Sequence, residues 1–182
     1  MIDLWTLPTT TVIGGEEYQL STDFRDMLEI IQVLTSDNSP FPIRWEIAAR
    51  LFYDRDIPFQ YRTEAIQFLI DFMNYGESQE SKKSGKLIDW VYDATTIIGD
   101  VNKVAGFDVR SVPYIHWWTF LSYFNGIGEG PLSTLVSIRS KIQKGKKLEK
   151  WEQEYYNENK AKVDFKSSED EKEVQDYFDK WL

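Results

Sequence analysis

The chain contains no cysteine. Disulfides, thiolate–zinc sites, iron–sulfur clusters and cysteine nucleophiles are therefore excluded. Histidine occurs once, at position 116, which removes every His-pair metal motif, so a metal site would have to be built from oxygen alone. No run approaches the ~18 consecutive apolar residues of a membrane span. The first residues lack the charged, apolar, small-residue order of a secretory signal, and a soluble, intracellular protein is expected. Lysine is missing from the first 81 residues, so positive charge there rests on arginine.

What is present is ordinary for a globular chain except in one respect. The 182 residues are 42% hydrophobic and 28% charged, which argues against wholesale disorder. Aromatics reach 15%, with seven Trp, ten Tyr and eleven Phe. The length suits one domain with an appendage. Net charge is −9 and uneven: residues 1–80 hold 14 acidic and 5 basic residues, residues 81–140 hold 5 and 6, and residues 141–182 hold 11 and 10. Duplex DNA binding by the whole molecule is disfavoured, because affinity there comes from neutralising phosphates. The crowd of Lys141, Lys144, Lys146, Lys147 and Lys150 is a local exception.

Along the chain, Thr9–Ile13 and Glu16–Leu20 flank Gly14-Gly15, a hairpin signal. Two strands are marginal alone and must pack on helices or on a partner's edge. Thr22 is a plausible N-cap for a helix bearing Phe24, Met27, Leu28, Ile31 and Leu34. A helix is expected from Ile43 to Tyr53, with Trp45, Ala48, Ala49 and Phe52 on one face. Another, capped by Thr63, carries Ala65, Ile66, Leu69, Phe72 and Met73 and ends at Gly76. Glu77–Lys86 reads as the principal internal loop. Leu87, Trp90, Val91, Ala94, Ile97, Ile98, Val101 and Val104 predict one long amphipathic helix stopped by Gly106. Trp117, Phe120, Leu121 and Phe124 form a further face, and Leu132, Leu135, Val136 and Ile142 continue after Pro131. Leu148, Trp151 and Tyr155 make a thin apolar stripe in a charged field, and Val174, Tyr177, Phe178 and Trp181 a second one. Such stripes dock on their own core or on a partner helix. The expected organisation is a helical core domain with an N-terminal hairpin over residues 1–142 and a charged helical tail over 143–182.

Few residues invite a catalytic reading. The Gly126-Ile-Gly-Glu-Gly130-Pro stretch lacks the spacing and the Lys-Ser/Thr of a phosphate loop and reads as a turn between helices. As a base, His116 would need a nucleophile and an orienting carboxylate, with Ser111, Ser122, Asp108 and Asp93 as sequence-level candidates. A structural histidine packed on aromatics is the expected outcome. Nothing singles out a carboxylate pair of the glycosidase type.

From Tyr92 the pattern becomes particular. Tyr92-Asp93-Ala94, Ile97-Ile98, Gly106-Phe107-Asp108-Val109, Ile115-His116-Trp117-Trp118-Thr119-Phe120, Gly126-Ile127 and Ser137-Ile138-Arg139 together resemble the bacteriophage gene-product-fifteen family of Gram-positive siphophages. Leu7-Pro8-Thr9, Ile13–Tyr18 and Thr22-Asp23-Phe24-Arg25 match its opening. The resemblance covers most of residues 7–142, and little of it extends past Ile142. It implies a non-enzymatic tail assembly chaperone in the host cell cytoplasm. Such a protein would have no cofactor and would take the tape-measure protein and the tail-tube protein as partners, with a homo-oligomer as a further possibility. The alternative is a minor structural protein retained in the phage tail or connector. The family-motif residues His116, Trp117, Phe120 and Asp93 are expected to be structural. Trp118 lies about 100° around the helix from Trp117 and is expected either to be exposed or to cover a second surface. Partner contacts are expected from Trp118, Trp151, Tyr155, Tyr177 and Trp181.

Overall fold

In the computed structural model, Gly14 and Gly15 both take positive φ, 59° and 87°, which a two-residue hairpin turn matching the strand twist demands. They join β1 (Thr10–Ile13) to β2 (Glu16–Gln19), antiparallel, in register from Thr10 opposite Gln19 to Ile13 opposite Glu16. Alternation puts Ile13 and Tyr18 on the buried face. A Cβ added at Gly14 would run into the Tyr61 ring. The hairpin is not left alone: Ser21 N–H donates to Phe52 O and Asp54 N–H to Gln19 O, at 2.8 and 3.1 Å.

The structure describes residues 5–36, 39–75 and 87–164. They form two compact units, one from Met1–Ser81 with Val112–Ser122, the other from Lys82–Ser111 with Tyr123–Leu182. The expected boundary after residue 142 falls inside the second unit. The expected loop Glu77–Lys86 and the stripe from Val174 to Trp181 lie outside the described residues.

In the first unit, α1 (Phe24–Thr35) packs on α2 (Phe41–Phe52), and a short 3-10 turn (Phe59–Tyr61) leads into α3 (Arg62–Met73). The N-cap of α1 is Asp23, one residue later than expected, since its carboxylate accepts the Arg25 N–H at 2.9 Å. Thr22 is instead paired with the Tyr114 hydroxyl. Helix α2 starts two residues before Ile43 because Pro42 fits a first turn, where no N–H is needed. Thr63 lies inside α3 and does not cap it. Arg44 is buried and donates to the carbonyls of Leu34 and Ser36, closing the end of α1.

The second unit holds α4 (Ala94–Ala105), then the end of α5 (Trp117–Asn125) from Tyr123 onward, α6 (Pro131–Gln143), α7 (Lys150–Glu158) and α8 (Lys160–Val163). The long helix expected from Leu87 begins only at Ala94. Residues 90–93 are turn, because the Asp89 carboxylate accepts the N–H groups of Val91 and Tyr92 and so competes with helical bonding. Gly106 ends α4 at φ 79°. Residues beyond 142 join the core of this unit: Leu148, Tyr155 and Tyr156 pack on Leu135, Ile138 and Val163. Among the described residues, no helix is long and apolar enough to cross a membrane.

Candidate functional site

In the first unit the motif His116-Trp117-Trp118 joins the end of one helix to the start of another. Helix α3 leaves carbonyls without intrahelical partners in its last turn. The Trp118 indole N–H donates to Phe72 O at 2.9 Å and the Trp117 indole N–H to Met73 O at 3.1 Å. Two adjacent tryptophans thus cap two consecutive carbonyls. Trp118 is 1% exposed, with Tyr75 stacked on it at 5.2 Å. The second surface expected of Trp118 is therefore the end of α3, and the indole is core. Trp117 stacks on Phe120, and Phe120 on Phe24 at 4.6 Å.

His116 caps the other helix end. Its Nδ1 accepts the Trp118 N–H at 3.1 Å, and its Nε2 lies 3.0 Å from Pro8 O. A carbonyl can only accept, so the proton sits on Nε2 and the ring is neutral. The Asp23 carboxylate receives the Ile115 N–H at 3.0 Å, and Arg25 reaches Val112 O at 2.7 Å. The Pro8, Thr22–Arg25 and Ile115–Trp118 segments are drawn into one hydrogen-bonded cluster.

Among the described residues, the hydrogen-bond partners of the His116 ring are the Trp118 N–H and Pro8 O, with no hydroxyl or carboxylate among them. Ser122 Oγ donates to Trp118 O, Ser111 Oγ to Asp108 O, and Asp108 is held by Arg110. The Arg110 side chain, followed by its N–H, keeps the Asp108 carboxyl well below the usual range. Burial lowers the His116 pKa from 6.5, against a smaller upward pull from Pro8 O. The unfolded chain therefore takes up this proton first as pH falls. Stability from the neutral ring is complete above about 6.5 and is lost as pH drops toward the folded value, by at most about 1.4 kcal/mol per pH unit. Chemical denaturation between about pH 7 and 5 is expected to show this slope in the native chain. His116→Gln is expected to flatten it, and an unchanged slope in that variant would assign the effect elsewhere.

The second unit is organised by Asp93 and Arg139, each 3% exposed. The two form a bidentate pair, Nη1 to Oδ2 at 2.6 Å and Nη2 to Oδ1 at 2.9 Å. The remaining guanidinium N–H groups go to Leu87 O at 2.9 Å, Lys162 O at 2.5 Å and Val163 O at 3.1 Å. Asp100, also buried, accepts Leu132 N–H at the start of α6 and pairs with Lys103. The sequence reading did not single out Arg139, Asp100 or Arg44 as buried. Arg139 stood in a family motif, and the signal for burial in all three was a charged residue on an otherwise apolar helical face.

Of the expected partner contacts, Trp151 is 52% exposed, with its indole N–H on Glu149. Tyr155 is half-buried against its own core, and Tyr177 and Trp181 lie outside the described residues. Glu152 is buried against Lys141 at 2.5 Å, and that lysine, then the Glu149 N–H, holds its carboxyl below the usual value. Among the described residues, no group of three or more His, Asp or Glu side chains is arranged to hold a metal ion.

A protein-family model described as bacteriophage Gp15 protein matches residues 4–165. The match runs past Ile142 through α7 and α8, further than the motifs alone indicated. No curated protein and no solved structure matches the chain. The hairpin, the His116–Trp118 caps and the Asp93–Arg139 pair all fall within the matched span, and the chain belongs to the bacteriophage Gp15 protein family.

Proposed function

We propose that the chain is a non-enzymatic tail assembly chaperone, one that binds the tape-measure protein and aids tail-tube assembly. Family membership over residues 4–165 is the observation that carries this reading. The chemistry of the side chains supports it. Both His116 nitrogens, both Asp93 oxygens and the Arg139 guanidinium are committed to the fold, where a catalyst would keep such groups available to substrate. A holdase needs apolar surface instead. Ile43 and Ile47 lie one turn apart on the face of α2 opposite Trp45 and Phe52, and both are exposed. Phe59 is 81% exposed. These positions suit the apolar side of an amphipathic helix, the form a long tape-measure segment presents.

The test is co-expression with the tape-measure protein of the same gene cluster, followed by pull-down and sizing. A soluble complex is expected, with the tape-measure protein insoluble alone and the chain absent from purified particles. Phe59→Ser is expected to reduce recovery of the complex without altering the fold. The chain at fixed stoichiometry in purified particles, without such a complex, would replace this reading with that of a virion component.

A further inference from the structure

We infer that the lysine-bearing turn between α6 and α7 is a self-association surface, and that its occupant is the acidic face of α1 on a second copy of the chain. This stands independently of the tape-measure reading. The starting point is a division of charge. The first unit carries 14 acidic and 5 basic residues, the second 16 of each, so the whole net charge of −9 lies on the first unit.

The turn is built to hold its shape. Gly145 at φ 62° lets the Lys146 N–H reach Lys141 O at 2.8 Å and the Gly145 N–H reach Ile142 O at 2.9 Å, the paired bonds that close a helix with a left-handed residue. The far side is fixed by the Glu149 N–H on Glu152 Oε2 at 2.8 Å. Lys144, Lys146, Lys147 and Lys150 project from this frame, all exposed and without an ion pair among the described residues.

Local structure accounts for only half of them. Lys144 and Lys146 favour the negative end of the α6 dipole. Lys147 and Lys150 stand before and within the first turn of α7, where the dipole repels cations. Exposed Trp151 adds apolar area of the kind that anchors interfaces.

The complementary charge is on α1. Of the ten described acids of the first unit, five have ion partners: Asp23 with Arg25, Glu46 with Arg50 and Arg62, Asp56 with Arg50, Glu16 and Asp54 with Arg55. Glu17, Glu64 and Asp71 form no ion pair among the described residues, and no two of them lie one turn apart. Asp26 and Glu29, one turn apart on the exposed side of α1, have none among the described residues. The Asp26 carboxyl is pushed up first by burial and then by Asp23 and Glu29, against a downward pull from Arg25, and an approaching lysine adds to that pull. A contact between different surfaces of two copies is head-to-tail, so it extends into rings or open chains.

Sedimentation velocity on the full chain at about 0.1 M and about 1 M salt tests this, the Debye length falling from about 10 to about 3 Å. Mass rising above 21.5 kDa with protein concentration at low salt, and returning to monomer at high salt, is expected. The triple variant Lys144→Glu, Lys146→Glu, Lys147→Glu and the double variant Asp26→Lys, Glu29→Lys should each be folded by circular dichroism yet monomeric. Mixing them should restore association, since the reversed charges then match. A native chain that is monomeric at low salt overturns the inference, as does association that survives both reversals. So does a monomer whose lysine turn instead retards a single-stranded oligonucleotide.

Discussion

Trp118→Ala is expected to remove about 3–5 kcal/mol, the range for truncating a large buried aromatic, out of the roughly 5–15 kcal/mol that a domain has in total. Three losses add up at this position. The cavity forfeits the contacts of an indole that is 1% exposed. Tyr75 loses its stacking partner while remaining at φ 66°, a left-handed backbone that costs a non-glycine residue about 1–2 kcal/mol. Phe72 O at the end of α3 loses its shorter donor and keeps the Tyr75 N–H at 3.3 Å. In urea, with a slope of about 2 kcal/mol per M, the midpoint should fall by roughly 2 M. Trp118→Phe separates the terms: the ring is largely kept and the indole donor is gone, while Phe72 O keeps the Tyr75 N–H, so about 0.5–1.5 kcal/mol is expected. Trp151→Ala serves as the comparison, since a half-exposed surface side chain should cost within about 0.5 kcal/mol. Equal midpoints for the Trp118→Ala and Trp151→Ala variants would mean that the indole does not hold α3 to the start of α5.

The contrast between those two tryptophans shows what a single sequence reveals. Periodicity placed the helices and Gly14-Gly15 the hairpin, because both are local statements: a spacing, or a backbone conformation that only certain residues adopt. Trp118 defeated the same reasoning. It lies about 100° from the Trp117 face, and spacing alone left it either exposed or over a second surface that it could not name. Its partner is a carbonyl 46 residues away, which no spacing within one helix encodes.

The same holds at the other helix ends. Arg44 closes α1 from the next helix, while Asp100 opens α6 and Arg139 collects the last carbonyls of α8 from more distant segments. Helix ends with local caps, such as Asp23 before α1 and Gly106 after α4, were read to within a residue. The start of α4 was misread for a related reason. Apolar spacing continues through Leu87, Trp90 and Val91, yet the Asp89 side chain outcompetes the helix for the nearby N–H groups. The boundary after residue 142 followed composition, and a lysine- and glutamate-rich segment can still bury Val163 and pack Leu148 and Tyr155 against the core.

That last point carries the second large effect. Replacing Arg139 by Met leaves the Asp93 carboxylate buried without its cation, and breaking a buried pair from one side typically costs about 3–5 kcal/mol. Asp93→Asn should cost a similar amount, because the guanidinium then stays buried and charged without its countercharge. Arg139→Lys should not rescue, since an ammonium cannot form the two-pronged bond to Asp93 and also reach Leu87, Lys162 and Val163. The double variant Asp93→Leu, Arg139→Met removes both charges and should recover much of the loss. Recovery should be incomplete, because the carbonyls of Lys162 and Val163 keep their positions and lose their donors. A double-mutant cycle on urea midpoints gives the coupling directly.

Truncation tests the same hub from the other side. A chain ending at residue 142 lacks Val163, Tyr155 and Tyr156, uncovers Leu135 and Ile138, and leaves Arg139 without two of its carbonyls. Hydrogen exchange in α4 and α6 should then be fast in this fragment and slow in the full chain, tracking loss of the second unit as a cooperative element. Slow exchange in the fragment, or an Arg139→Met variant as stable as the native chain, would mean that residues 143–164 rest on a core that does not need them. The buried pair would then fix geometry without contributing to stability.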